Sequence, residues 1–512
     1  MFRTFSMMLL VLSTISSQSQ TARKPNILFC IADDASYQHM SAYGMIDWVK
    51  TPNFDRIARE GLLFTKAYTP NAKCSPSRAA ILTGRNPWQL EAAGNHNPYF
   101  PAKFTTFIEV LGQSGYMTGY TGKGWGPGEA GMINGKKREL TGKAYNAVKG
   151  KNTPTSAMSP IDYAANFAQF LKEKPAKQSF VFWMGSHEPH RPYRFQSSEK
   201  QTNKRKADIK EVPPFWVDND STRSDMLDYA LEVEYFDQTL GEVLEVLKNS
   251  GELDNTIIVL TSDNGMPFPR TKGHIYEHDN HLPLAISWKG KIVNPGRQVT
   301  DFVSFIDLAP TFLELAGVDP AKTSMQKIEG RSLLPFMTLV KPNPLKRDFV
   351  ILGRERQDVG RPDDQGYPVR AIVKGDFVYA INYEPSRWPA GDPETGYMDT
   401  DNSPTKSSIL AAYNNKSNPM PWNFSFGKKG GEELYQINKD PYSVNNLATK
   451  PEFAIIKKQL KDQLESELKL QGDPRMFGKG SLFDQYPYSK EAARNHYNRV
   501  MKGEEIKGKN AH

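Results

Sequence analysis

Apolar, β-branched runs alternate with amphipathic helical patterns between residues 26 and 316, and this alternation constrains the fold more than any other feature. Strands that alternate with helices are typical of a parallel sheet covered by helices on both faces. We therefore predict an α/β fold with a mostly parallel sheet. The predicted strands are residues 26–31, 116–121, 180–184 and 256–261, and the predicted helices are residues 53–60, 224–249 and 307–316.

The pattern changes after about residue 345. Short strands are predicted at 349–352, 370–373 and 377–381, and Gly375 and Asp376 are suited to a tight turn between the last two. An amphipathic helix is predicted over 453–468, whereas residues 385–431, rich in Pro, Asn, Gly and Ser, are predicted to be long loops. These patterns divide the chain into a signal peptide (1–19), a large N-terminal domain (20–345) and a smaller C-terminal α+β subdomain with an antiparallel sheet (346–512).

The first residues have the features of an export signal. Arg3 precedes the apolar run 7–12, and Ser17 and Ser19 have the spacing for cleavage before Gln20. That run is too short to span a bilayer, and no later segment has about 18 uninterrupted apolar residues. We expect a bacterial protein of the periplasm, the cell surface or the medium, without stable membrane insertion. The net charge of +8 suits an anionic ligand, but no nucleic-acid-binding motif accompanies it, so no nucleic acid partner is expected.

Polar side chains follow four of the predicted strands, at the edge where an open α/β sheet binds its ligands. Three carboxylates and an amide at one edge predict a hard divalent cation, calcium or magnesium, because the carboxylates would otherwise repel one another. The alternative is that the Asp and Asn residues only cap helices and form turns. The residues at the strand ends are Asp33 and Asp34, Lys123, His187 and His190, and Asp263 and Asn264.

The segment from Cys74 to Arg85 carries the most specific motif. Cys74 precedes a Pro suited to a first helical turn, so it lies where a helix N-terminus favours an anion. Arg78, four residues later, lies on the same helical face and adds positive charge. The pattern indicates an anion site with an activated sulfur, the alternative being an ordinary helix start with a packed Cys. The other cysteine, Cys30, lies in an apolar strand, and we expect no disulfide between the two.

The segment 74–85 resembles the signature of the type I, formylglycine-dependent sulfatases. Residues 24–34 and 261–265 resemble the two metal-binding segments of that family, and residues 433–435, 440–441 and 446–448 resemble its C-terminal signature. Residues 264–269 are most similar to the heparan N-sulfatase (sulfamidase) branch. The resemblance implies an alkaline-phosphatase-like sheet sandwiched by helices, and a hydrolase that removes sulfate from a sulfated carbohydrate.

The resemblance also implies a cofactor set and a role for each motif residue. A maturation enzyme would oxidise Cys74 to formylglycine (3-oxoalanine), whose hydrate has one hydroxyl for attack on sulfur and another to expel sulfate. One Ca²⁺ per chain would be held by Asp33, Asp34, Cys74, Asp263 and Asn264. Arg78, Lys123, His187 and Lys272 would complete the catalytic group, with His187 protonating the leaving group. The candidate substrate contacts are Trp125, His190, Glu277, His278 and His281.

The sequence departs from the family pattern at one position. Many sulfatases have a His two residues after the lysine that matches Lys123, whereas this chain has Trp125, which could stack on a sugar or serve only in packing. Three alternatives stay open here. The substrate could be a heparan-like N-sulfated glycan or an O-sulfated algal polysaccharide such as ulvan. The protein could also be a phosphodiesterase of the same superfamily, or a glycan-binding protein that has lost catalysis. The oligomeric state is likewise open.

Overall fold

The computed structural model describes residues 23–133, 135–340 and 347–504. The predicted signal peptide and the predicted boundary at 345/346 lie outside these residues. The strands are β1 Asn26–Ala32, β2 Leu62–Phe64, β3 Ala67–Tyr68, β4 Met117–Gly122, β5 Met132–Ile133, β6 Lys136–Lys137, β7 Lys143–Ala144, β8 Phe180–Gly185, β9 Thr256–Ser262, β10 Leu284–Trp288, β11 Arg297–Val299, β12 Val303–Ser304, β13 Phe349–Arg354, β14 Val369–Lys374, β15 Phe377–Asn382 and β16 Glu432–Gln436.

The α-helices connect and cover these strands. They are α1 Pro52–Glu60, α2 Cys74–Thr83, α3 Phe107–Gln113, α4 Tyr163–Glu173, α5 Ser197–Gln201, α6 Asp220–Asn249, α7 Glu277–Asn280, α8 Leu308–Leu315, α9 Leu334–Thr338, α10 Pro404–Asn414, α11 Met420–Ser425, α12 Ala454–Leu470, α13 Leu482–Gln485 and α14 His496–Met501. Among the described residues, no helix is long and apolar enough to cross a bilayer.

An eight-stranded sheet forms the centre of the large domain, in the order β11-β2-β10-β9-β1-β8-β4-β7. Strand β1 pairs in parallel with β8 and β9, β4 pairs in parallel with β8, and β10 runs antiparallel to β9 and β2. The prediction of a mostly parallel sheet is therefore confirmed. Because parallel strands end at the same edge, the segments that follow β1, β4, β8 and β9 meet there.

Both faces of this sheet are buried, as in a doubly covered parallel sheet. In β1, Leu28 and Cys30 belong to the core that contains α1, α4 and α6, whereas Ile27 and Phe29 belong to the core that contains α2, α3 and α8. Cys30 is a free, fully buried thiol.

The C-terminal subdomain is a four-stranded antiparallel sheet, β13-β14-β15-β16, with α12 packed on one face. Strand β14 pairs with β15 across the turn at Gly375, as predicted. The prediction of long loops over 385–431 is wrong, because α10 and α11 lie in this segment. Ser403 caps α10 by accepting from the amide of Lys406, and Ile409 is buried in the core that also contains α6. This capping signal is short and stands among residues typical of turns.

Candidate active site

Three chain segments are hydrogen-bonded together at the strand ends. The amide of Asp33 donates to the carbonyl of Glu188 (3.1 Å), and the amide of Asp34 donates to Oδ1 of Asp263 (3.0 Å). Asp34 adopts a φ of 75°, in the left-handed region that residues other than glycine seldom occupy. This strained backbone conformation lets the carboxylates of the adjacent residues Asp33 and Asp34 point into the same site.

Cys74 lies within this group at the first residue of α2. Its Sγ is 3.6 Å from Oδ1 of Asp33 and 4.0 Å from Oδ1 of Asp34, and the side chain is buried. The ligand atoms of Asp33, Cys74 and Asp263 lie within 4.8 Å of one another. The structure thus brings together the motif cysteine and the predicted metal ligands, of which Asp34 and Asn264 are 230 residues apart in the chain.

Three cationic side chains surround the carboxylates. Lys123 Nζ is 2.6 Å from Oδ2 of Asp33, and Lys272 Nζ is 2.7 Å from Oδ2 of Asp34. Arg78, which is fully buried, donates from Nε to Oδ2 of Asp263 (2.8 Å). Positive charge therefore lines the site next to Cys74, as a site for a sulfate group requires.

Burial and neighbouring charges shift the pKa values of the side chains in the site. Burial opposes ionisation of Asp33, but the charges of Lys123, His190 and Arg78 hold its pKa well below the usual range. Burial raises the pKa of Asp263 to about 6, partly offset by Arg78. Burial also raises the pKa of the Cys74 thiol, although Lys123 favours the thiolate. Burial therefore opposes the thiolate form, which the neighbouring lysines favour.

The donor set fits a hard divalent cation. Asn264 donates from Nδ2 to Oδ1 of Asp34 (2.6 Å), but its own Oδ1 is buried and accepts no hydrogen bond from the described residues. An unsatisfied buried amide oxygen beside three carboxylates is the arrangement that an oxygen-ligated cation completes.

The two histidines that follow β8 border a cavity of about 280 Å³, which Glu188 and Glu232 also line. His190 Nε2 is 3.8 Å from Oδ2 of Asp34, and a ligand nitrogen of His190 lies within 4.8 Å of the Cys74 sulfur. Burial lowers the pKa of His187, which shares this cavity with the buried Glu232. His190 therefore places an imidazole near Cys74, in a chain that lacks the histidine found in many sulfatases.

Trp125 is held by packing contacts. Its Nε1 donates to the carbonyl of Ser75 (3.2 Å), and its ring packs edge-on against Phe100 with centroids 5.1 Å apart. These contacts support a packing role for Trp125 and place its indole against the first turn of α2.

Aromatic side chains contact the other three candidate substrate residues, Glu277, His278 and His281. Glu277 and His281 are both buried and in direct contact, and Glu277 accepts from the hydroxyl of Tyr68 (3.0 Å). His278 stacks on Tyr442 and borders a separate cavity of about 630 Å³. The structure does not join these three side chains to the Cys74 group by any contact among the described residues.

Sequence reasoning missed two carboxylates of the C-terminal subdomain, Asp358 and Asp401, and one lysine of the large domain, Lys73. Asp401 Oδ2 is 3.1 Å from Lys272 Nζ. Lys73 is buried and lies 3.4 Å from Asp358. Lys73 could have been suspected from its place beside Cys74, whereas Asp358 and Asp401 lie in segments without a recognisable motif.

Comparison with known proteins decides the family. Residues 25–318 match the sequence profile of the sulfatase family. The chain belongs to the sulfatase family. This sulfatase is 28% identical over 480 residues to the human N-sulphoglucosamine sulphohydrolase, covering 86% of this chain and 89% of that protein. It is 25% identical over 474 residues to an ulvan-active sulfatase of Formosa agariphila, covering 90% of this chain and 83% of that protein. The resemblance to the family and to its sulfamidase branch is confirmed.

Solved structures share the fold of this sulfatase. One from work on glycosaminoglycan metabolism by Bacteroides thetaiotaomicron superposes with a TM-score of 0.65 at 20% identity, covering 91% of this chain and all of that one (100%). Another, in complex with its substrate D-glucosamine-2-N,6-O-disulfate, superposes with a TM-score of 0.61 at 22% identity, covering 88% and 99%. The predicted alkaline-phosphatase-like architecture with an added antiparallel sheet is confirmed.

Proposed function

We propose that this sulfatase removes sulfate from a sulfated polysaccharide or oligosaccharide, with formylglycine at position 74 and one calcium ion as its cofactors. The observation that carries the proposal is the position of Cys74, which lies 3.6 Å from Asp33 beside Lys123 and Lys272. A single nucleophile among cations and carboxylates matches sulfuryl transfer, in which negative charge on the sulfate oxygens must be neutralised.

The residues that would hold the calcium are Asp33, Asp34, Asp263 and Asn264, with residue 74 as a fifth protein contact. The unsatisfied Oδ1 of Asn264 supports this assignment. Bound calcium would supply charge neutralisation to the nucleophile and to the sulfate. Formylglycine would supply, through its hydrate, two hydroxyls on one carbon, which a cysteine or serine lacks.

The chain's own side chains have separable tasks in this proposal. Lys123 and Lys272 would bind the sulfate oxygens from two sides, because both ammonium groups already face the carboxylates next to Cys74. Arg78 would fix the orientation of Asp263 and the position of residue 74. His187 is the proposed acid for the leaving group, since burial lowers its pKa and makes it a better proton donor when charged. His190 is the proposed substitute for the absent histidine.

The substrate class follows from the relatives. The human relative is named for N-sulphoglucosamine and the Formosa agariphila relative for ulvan, both of them sulfated sugars. Similarity to the sulfamidase branch favours a heparan-like glycan, and ulvan is the second candidate. An exported enzyme would meet either polymer outside the cytoplasm.

The test is sulfate release from heparin, chondroitin sulfate, ulvan, carrageenan and fucoidan by matured protein, together with mass spectrometry of the peptide that contains residue 74. We expect the aldehyde mass and release from one polymer class, and no release by Cys74→Ala. The control is Cys30→Ala, which removes the other buried thiol, in β1, and should keep activity. An active Cys74→Ala protein, or an unmodified thiol in fully active protein, would contradict the proposal.

A further inference from the structure

The C-terminal subdomain places a further carboxylate, that of Asp401, against Lys272, one of the cations that surround the carboxylates of the site. Asp401 Oδ2 is 3.1 Å from Nζ of Lys272, which also contacts Asp34 at 2.7 Å. The side chain of Lys272 is 4% exposed, whereas that of Asp401 is 28% exposed. The Oδ2 atom of Asp401 beside Lys272 is buried, and only the remaining part of this side chain is open to a ligand bound next to Lys272.

The segment that carries Asp401 is braced by buried charges. Asp399 accepts from Arg354 (3.1 Å) and from Arg361 (2.6 Å), and both guanidinium groups are buried. Lys406 donates to the carbonyl of Thr400 (2.9 Å), directly before Asp401. A carboxylate on so constrained a backbone is held in place before a ligand arrives, which is what selectivity requires.

A carboxylate at this position is costly for an enzyme that binds anions. The neighbouring Lys272, Lys73 and His190 hold the pKa of Asp401 below its usual range despite burial, so the group stays charged. It repels any second anion placed close to it and accepts hydrogen bonds from hydroxyl or amino groups. Lys272 keeps its contact with Asp34 in any case, so Asp401 is not needed to neutralise it.

We propose that Asp401 is a specificity-determining residue, which selects sugars with a hydroxyl or amino group beside the reacting sulfate and rejects sugars with a second anionic group there. This inference rests on the proposed function, since it takes Lys272 as a sulfate-binding side chain. Two like charges about 6 Å apart at an effective dielectric constant of about 20 change affinity by roughly 10- to 100-fold after screening by salt.

The experiment measures inhibition of sulfate release from the polymer identified by the screen. The two probes are D-glucosamine-2-N-sulfate and D-glucosamine-2-N,3-O-disulfate, which differ in one sulfate on the adjacent carbon. Wild-type protein should bind the first roughly 10- to 100-fold more tightly than the second. Asp401→Asn should bring this ratio to within about 3-fold, because the repulsion is removed. Asp401→Glu, which keeps the charge, should retain most of the ratio.

Asp376→Asn is the matched control, because it makes the same chemical change at an exposed hairpin turn of the same subdomain. The inference is overturned if Asp401→Asn leaves the ratio unchanged, including when both inhibition constants rise together, as they would if Asp401 only positioned Lys272. It is also overturned if neither sugar inhibits the wild type. Failure of the proposed function looks different, since no polymer would then release sulfate.

Discussion

Replacement of Arg78 by methionine should destabilise the protein much more without calcium than with it. Arg78 Nε donates to Oδ2 of Asp263 (2.8 Å), and Nη1 donates to the carbonyls of Lys123 (3.0 Å) and Gly124 (2.9 Å). The carbonyl of Lys123 keeps a second donor, Nε1 of Trp183 (3.1 Å). The substitution therefore leaves one buried carboxylate without its cation and one carbonyl without a donor.

These two losses set the magnitude. An uncompensated buried charge costs about 3–5 kcal/mol, and we take about 3 because Asp263, with a pKa of about 6, would respond by protonating. The unsatisfied carbonyl of Gly124 adds about 1–3 kcal/mol. We expect a total loss of about 4–6 kcal/mol in EDTA, and only the carbonyl part, about 1–3 kcal/mol, in saturating calcium, because the bound cation neutralises Asp263.

Urea unfolding in EDTA and in calcium gives both values, and calorimetric titration gives the calcium affinity. The difference of about 3 kcal/mol requires, by reciprocity, that Arg78→Met bind calcium roughly 100-fold more tightly than the wild type. Arg85→Met, in the same motif, is the control and should lose the same stability in both buffers. Equal destabilisation of Arg78→Met with and without calcium would refute the assignment of Asp263 as a calcium ligand.

Three further predictions concern other parts of the site. Lys272→Met should lower kcat/KM for the sulfated substrate by about 10²–10³-fold, because one cation facing the sulfate is lost, whereas Lys289→Met, at an exposed ion pair, should not. Glu232→Gln should flatten the pH dependence of stability. Burial raises the pKa of Glu232 to about 9, so the folded protein keeps a proton that the unfolded chain releases, and wild-type stability should fall by up to about 1.4 kcal/mol per pH unit between pH 5 and 8. Asp399→Ala should cost about 3–5 kcal/mol in urea unfolding, because Arg354 and Arg361 lose their shared buried carboxylate.

Each of these has an outcome that contradicts it. Normal kinetics in Lys272→Met would remove that lysine from the sulfate site. A pH profile of unfolding that is identical in Glu232→Gln and wild type would mean that Glu232 is ionised in the folded protein. A loss below about 1 kcal/mol in Asp399→Ala would show that water reaches the two guanidinium groups.

The large sheet and the group around Cys74 could be predicted because their signals are local. Each strand is a short apolar run, and each strand end carries its polar residues directly after the run, as Asp33 and Asp263 do. The parallel arrangement then places these ends at one edge, so that the contacts of Cys74 with Asp33 and Asp34 follow from topology together with the resemblance.

The contribution of the C-terminal subdomain could not be predicted in the same way. Asp401 lies two residues after Asp399, which accepts from Arg354 and Arg361, 45 and 38 residues earlier in the chain. Nothing in the residues around Asp401 indicates this arrangement, since Asp and Asn at such spacing are typical of turns. Helix α10 was missed for the same reason. Its N-cap residue, Ser403, and its first residue, Pro404, are of types that are also common in turns.

The burial of Cys74 has a consequence for how the enzyme is made. Its side chain is only 2% accessible in the finished fold, and Lys73 and Ser75 on either side are equally enclosed. Lys73 contacts Asp358 and the carbonyl of Asp399, so a modifying enzyme that must bind this stretch of backbone has little access to it in the folded protein. We therefore expect the proposed oxidation of Cys74 to occur on the nascent or unfolded polypeptide, so that protein folded in a host without the modifying activity stays inactive when that activity is added afterwards.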